Sequence, residues 1–112
     1  EFRLPDAGCN PYLVHAAIIA AGLDGVARKL DPGTPHNINL YSLTPSECAE
    51  KGIEKLPQNL SLAIDALEAD SILRESLGEG ICAEFMRLKR EEWLDYNAQV
   101  SAWEVQRYAE FF

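Results

Sequence analysis

Five times along the chain, a residue suited to capping a helix stands just before a segment with helical apolar spacing. Asn10 precedes Pro11, Thr44 precedes Pro45, Asn59 follows Pro57, Asp70 precedes Ser71, and Ser101 precedes Ala102. A side-chain oxygen at the capping position accepts hydrogen bonds from first-turn N–H groups that have no carbonyl partner inside the helix. Proline at the first helical position loses nothing, because its missing N–H would be unbonded there anyway. Thr44 and Ser101 each have a glutamate three residues on, Glu47 and Glu104, which completes a reciprocal capping box. Chain punctuated this densely by helix starts has little room for a sheet, so the expected class is mainly α.

The segment after Asn10, YLVHAAIIAAGLDGVARKL, reads as one helix to about Leu30. Gly22 and Gly25 lower its intrinsic stability by about 1 kcal/mol each relative to alanine. Its small residues Ala16, Ala17, Ala20, Ala21 and Gly22 allow close backbone approach and predict a buried, tightly packed helix. Asp31-Pro32-Gly33 is expected to end it, and residues 34–43 to form an extended loop. A short helix from Pro45 stops by Gly52. Another opens at Pro57 to Asn59 and carries Leu60, Ala63, Ile64 and Leu67 on one face. A further short segment closes at Gly78. A long helix is expected from about Gly80 to Gln99, with Cys82, Met86, Lys89, Trp93, Tyr96 and Val100 along one seam, the lysine lying along it by its aliphatic stem. Glu1 to Leu4, ahead of Pro5, reads as a short strand, which puts Glu1 and Arg3 on one face.

At 112 residues the chain suits a single domain over 1–112. Its net charge of −8, from 18 acidic and 10 basic residues, disfavours nucleic acid as a partner. No apolar run is long enough to cross a bilayer and no basic n-region leads an apolar one, so neither a membrane nor secretion is expected and the predicted location is the cytoplasm. The first residue is not methionine, which reads as a processed or cut piece. Three cysteines, Cys9, Cys48 and Cys82, lack C-x-x-C spacing and are expected to be reduced and mostly buried.

No catalytic set is complete. His15 and His36 have no second ligand at metal spacing and read as packed or solvated side chains. Tyr41, set among apolar loop residues, reads as a ring docked on the core, with modification as the lesser alternative. Residues 89–92 read as a solvated, self-paired helix face. Trp103, Tyr108, Phe111 and Phe112 fit a core or a surface that docks on another subunit, equally well. Glu1 with Arg3 is either a surface ion pair near a strand end or one wall of a site, and composition favours the former.

The order of motifs changes that balance. E-x-R-x-P-D (Glu1, Arg3, Pro5, Asp6) followed by NPYL, AAGLDG, a D-P-G turn, NLYSL, LPQNLSLAIDALEAD and KREEWLDYNAQVSAWEVQRYAEFF resembles the C-terminal part of the glutamine synthetase catalytic domain. Each motif is weak alone; their order and spacing over essentially the whole chain make the resemblance specific. It implies the helical C-terminal segment of an α+β catalytic domain, with the opening strand as a remnant of its sheet.

The resemblance also implies chemistry. Members phosphorylate the side-chain carboxylate of glutamate with ATP, and ammonia displaces phosphate from the acyl phosphate, with Mg²⁺ or Mn²⁺ bridging phosphate oxygens. By the motif, Glu1 is implied as a metal ligand and Arg3 as a contact to the glutamate substrate. Tyr41 matches the tyrosine that some bacterial members adenylylate, although Ser42 and Thr44 depart from the residues usual around it in regulated enzymes. Gly8 and Cys9 stand where alanines are commoner, pointing to a divergent subgroup acting on another small amine such as methylamine. The family's stacked-ring homo-oligomers imply subunit contacts for the aromatic tail. The other metal ligands, the nucleotide pocket and the loop over glutamate would all lie upstream of Glu1, so this chain alone is expected to be inactive. The alternative is a non-catalytic helical module for binding or assembly.

Overall fold

The computed structural model describes residues 2–111. Its elements are α1 (Pro11–Arg28), a 3₁₀ turn (Leu40–Ser42), α2 (Pro45–Glu50), α3 (Leu60–Ala69), α4 (Ser71–Leu77), α5 (Glu79–Asn97) and α6 (Ala102–Tyr108). The mainly α class holds. The short strand ahead of Pro5 does not form among the described residues, because a strand needs the backbone groups of a second strand and none of these residues supplies one. The chain divides into two compact units, Glu1–Gln58 and Asn59–Phe112.

In the first unit, all the expected capping chemistry is present. Asn10 Oδ1 accepts from the N–H groups of Tyr12 and Leu13 at 2.9 and 3.2 Å, with Pro11 opening α1. Termination comes earlier than Asp31-Pro32-Gly33. Lys29 adopts a left-handed conformation at φ 52, its N–H donates to the Val26 carbonyl at 3.1 Å, and the Leu30 N–H donates to the Gly25 carbonyl at 3.0 Å. This is a Schellman closure, in which late carbonyls are satisfied by wrapping the chain back. Thr44 and Glu47 form the capping box of α2, the Thr44 N–H donating to Glu47 Oε2 at 2.7 Å. The 34–43 loop is not wholly extended, since Asn39 Oδ1 accepts from the Tyr41 N–H at 3.1 Å and tightens residues 40–42 into a turn.

Burial of α1 is where expectation and structure part. None of its residues is buried, and among the described residues it packs on no other helix of its unit. Leu13, Ala17, Ala20 and Asp24, at helical steps of four, three and four, are only partly covered. Tyr12, Ile19, Leu23 and Val26 are exposed, the last at 76%. Small residues allow close packing, but packing also needs a partner, and this unit provides none for α1.

The second unit is built differently. α3, α4 and α5 pack on one another, and the two buried apolar side chains among the described residues, Ile64 at 2% and Cys82 at 1%, both lie here. Asp70 both follows α3 and caps α4, Oδ1 accepting from the Leu73 N–H at 3.0 Å. Gly78 joins α4 to α5 at φ 93, a conformation side-chain-bearing residues rarely adopt. The predicted seam is buried at Cys82 and partly covered at Met86, Lys89 and Trp93, but Tyr96 is exposed, because the packing partners α3 and α4 are only 10 and 7 residues long; Val100, also exposed, lies past the end of α5 at Asn97. In α6 the Ser101–Glu104 capping box forms as expected. Its aromatic residues are not core: Trp103, Tyr108 and Phe111 are all more than half exposed, and Phe112 lies outside the described residues. Among the thiols only Cys82 is buried; Cys9 is exposed and Cys48 intermediate, since neither sits in the α3–α5 core.

Candidate functional site

Glu1, the residue on which the metal assignment rests, lies outside the described residues. Arg3 is exposed and is anchored to α1 by a short, well-bonded connection. Asp6 Oδ1 accepts from the Gly8 N–H at 2.6 Å, and the Asp6 carbonyl accepts from the Cys9 N–H at 3.1 Å. Asn10 then caps α1 one residue later. The Asp6–Cys9 turn and the Asn10-Pro11 cap leave Arg3 a short run of chain from the helix. A β-carbon at Gly8 would stand 3.1 Å from Asp6 Oδ1, tighter than an ordinary contact, which gives a local reason for glycine in this turn.

No group of three or more histidine, cysteine, aspartate or glutamate side chains among the described residues is arranged to hold a metal ion. Asp6, the nearest carboxylate to Arg3 in the motif, already uses Oδ1 on the Gly8 N–H. These residues do not fit a two-metal site, and one carboxylate at Glu1 would not complete one.

Tyr41 is fully exposed at 101%, which corrects its reading as a ring docked on the core. The Asn39 cap and the Ser42 Oγ–H donating to the Asn39 carbonyl at 2.8 Å hold the backbone in a tight turn that turns the ring outward. His15 and His36 are exposed, in keeping with solvated side chains. An open depression of about 470 Å³ beside α2, lined by Pro45, Cys48, Ala49, Ile53 and Lys55, contains none of the motif residues.

Charge is organised chiefly in the second unit. Arg90 of α5 donates to Asp65 at 3.1 Å and to Glu68 of α3. Arg74 donates to the Glu68 carbonyl at 3.1 Å and to Glu79 at 2.7 Å, tying the end of α3 to the start of α5. Arg87 pairs with Glu84 and Glu91 along α5. Hydrogen bonding raises all three guanidinium pKa values, and that of Arg87 holds Glu84 below the usual carboxylate range. The Arg74 and Arg90 bonds link α3, α4 and α5, while those of Arg87 stay within α5.

The profile described as "Glutamine synthetase, catalytic domain" matches residues 1–108. The chain belongs to the glutamine synthetase catalytic-domain family. It is 54% identical, over its full length, to a glutamate–methylamine ligase of Methyloversatilis universalis, covering 25% of that protein. It is 45% identical over its full length to a glutamine synthetase of Halobacterium salinarum, again covering 25%. To a glutamine synthetase of Methanosarcina mazei it is 43% identical over 108 residues, 96% of this chain and 24% of that one. The chain thus spans about a quarter of the length of the curated relatives it matches.

Within this family segment, one feature was readable in the sequence and passed over. Tyr12, Ala16, Ile19, Leu23 and Val26 recur at steps of four, three, four and three, which makes a second apolar row on α1 roughly a third of a turn from the partly covered one. The uniform abundance of apolar residues in α1 obscured it.

Proposed function

We propose that this chain is the C-terminal part of an ATP-dependent ligase that joins ammonia, or a small amine such as methylamine, to the side-chain carboxylate of glutamate through an acyl phosphate. The observation that carries the reading is the match to the catalytic-domain profile over residues 1–108, which includes the E-x-R-x-P-D opening. In this reading Arg3 binds the glutamate substrate, since a planar guanidinium donates two parallel hydrogen bonds to a carboxylate. Glu1 supplies one hard oxygen donor of a site whose other ligands lie elsewhere in the whole protein. Mg²⁺ or Mn²⁺ bound there would neutralise charge on the transferring phosphoryl group.

Methylamine is favoured over ammonia by one comparison: identity is 54% to the methylamine ligase against 45% and 43% to the two synthetases. The parent works in the cytoplasm as a homo-oligomer of stacked rings, and both units lie in one catalytic domain. No helix among the described residues is long and apolar enough to cross a membrane, in keeping with that location. Tyr41 is geometrically open to modification, but Ser42 and Thr44 beside it argue against adenylylation. The chain alone has no synthetase activity, because it carries one candidate metal carboxylate where two metals are required.

The test is a single-chain chimera in which this chain replaces the corresponding quarter of the Methyloversatilis universalis ligase. Phosphate release is measured with glutamate, ATP, Mg²⁺ and either methylammonium or ammonium. Amine-dependent turnover that is lost with Arg3→Ala, chiefly through a raised KM for glutamate, is the expected result. A correctly folded chimera with no amine-dependent turnover would overturn the ligase reading and favour the non-catalytic module.

A further inference from the structure

Between Arg3 and the first turn of α1 the backbone is restrained at residue after residue, although neither strand nor helix runs there. Leu4 precedes a proline, which disfavours the helical region for it, and the ring of Pro5 fixes its own φ. Asp6 then makes both bonds of the turn that follows. Its Oδ1 accepts from the Gly8 N–H at 2.6 Å, and its carbonyl accepts from the Cys9 N–H at 3.1 Å. Asn10 takes over at the next residue, accepting from the Tyr12 and Leu13 N–H groups. The carboxylate bond is charge-assisted, the stronger class of backbone contact. It also depends on residue 8. Beyond its chain neighbours, a β-carbon there would meet one atom within 4 Å among the described residues, Asp6 Oδ1 at 3.1 Å.

We infer that Asp6 is a positioning residue for Arg3: by closing the Asp6–Cys9 turn, it sets the path of the chain from α1 back to the guanidinium. This rests on the reading of Arg3 as the contact to the glutamate substrate. Asp6 serves that site by shaping the backbone and not by ligation, since its Oδ1 is already committed to the Gly8 N–H. A guanidinium that donates two parallel hydrogen bonds to a carboxylate is sensitive to its placement, and small misplacements of a substrate-holding group are costly. Loosening the turn is therefore felt first as weaker glutamate binding. What the turn requires of residue 6 is an acceptor oxygen at the Oδ1 position. Asparagine supplies that oxygen without the charge; alanine supplies neither.

The experiment is a mutant cycle in the single-chain chimera with the Methyloversatilis universalis ligase. Asp6→Ala, Asp6→Asn, Gly8→Ala, Arg3→Ala and the double variant Arg3→Ala, Asp6→Ala are compared by initial rates against glutamate, with thermal unfolding of each. Asp6→Ala should raise the KM for glutamate by roughly five- to tenfold, the factor a single hydrogen bond carries. Its kcat and its KM for ATP should stay within about twofold of the unsubstituted values. Asp6→Asn should recover most of the loss. Added to Arg3→Ala, Asp6→Ala should cost little more in kcat/KM, because a guanidinium that is absent cannot be misplaced. An equal cost in both backgrounds would overturn the inference and leave Asp6 a structural residue. Asparagine as impaired as alanine would overturn it too, by assigning the effect to the charge. If Asp6→Ala does not fold, Gly8→Ala decides, since it crowds Oδ1 without removing it: a KM for glutamate raised by about two- to threefold supports the inference, and an unchanged one sinks it. A folded chimera with no turnover even when unsubstituted removes the ligase reading and this inference with it. Turnover indifferent to residue 6 removes this inference alone.

Discussion

Ile64→Ala is the sharpest probe of how the two units differ. Ile64 is 2% exposed, and alanine removes three carbon groups, about 2.4 kcal/mol at ~0.8 kcal/mol each before any cavity cost. Measured changes of this kind fall at about 2–5 kcal/mol. Unit 2, Asn59–Phe112, is short enough that its whole stability should be on the order of 3–8 kcal/mol. The substitution should therefore remove between about a third of it and all of it. Both tryptophans, Trp93 and Trp103, lie in that unit, so tryptophan fluorescence during urea unfolding reports on it selectively. With a slope of about 1 kcal/mol per molar urea, as small proteins show, the midpoint should fall by about 2 M or the transition should vanish. Ile19→Ala on α1, at a site 62% exposed, is the control and should cost less than about 0.5 kcal/mol in this chain. A shift for Ile64→Ala below about 1 kcal/mol, or an equal loss from Ile19→Ala, would refute the picture of a self-contained α3–α5 core beside an uncovered α1.

Two further outcomes follow from the helix ends. Lys29→Gly should stabilise α1 by up to about 1 kcal/mol, because a side-chain-bearing residue held at φ 52 pays a left-handed penalty that glycine avoids; far-UV circular dichroism on heating would show it, and unchanged or lower helicity would contradict it. Glu47 and Glu104 are held below the usual carboxylate range, Glu47 first by the Thr44 hydroxyl and Glu104 first by the Ser101 N–H. A lowered folded-state pKa contributes stability that is present above the unfolded value and is lost as pH falls through the folded one, so helicity should decline on acidification from the ordinary glutamate range downward. The double variant Glu47→Gln, Glu104→Gln should lose part of that pH dependence, and an unaltered acid profile would remove the capping boxes as its cause.

Local chemistry was the legible part of this fold. Asn10, Thr44, Asn59, Asp70 and Ser101 all cap helices where the sequence places them, because a cap is decided by residues within three positions of one another. Closure of α1 at Lys29 escaped notice because the left-handed residue is a lysine and not the glycine that usually marks such an end. The site was legible only as a motif. Asp6 opens a bonded turn leading into α1, three residues after Arg3, but no spacing rule converts one arginine and one carboxylate into a ligase.

Burial was the least legible property, and α1 and α5 show why. Cys82 and Trp93 lie on one row of α5 with Tyr96, yet only the first two are covered, because α3 and α4 run out before the row does. Apolar spacing states which face a helix can bury; whether it does so depends on the length and presence of a partner. On α1 both rows are spaced for burial and neither is buried. A helix with such spacing and no packing partner draws little stability from its apolar side chains in this chain. Ile19→Ala should therefore change from a near-neutral substitution in this chain to one costing at least about 2 kcal/mol in the full-length protein. That reversal, read by paired denaturation of the two proteins, separates an intrinsically exposed helix from one awaiting the rest of its domain.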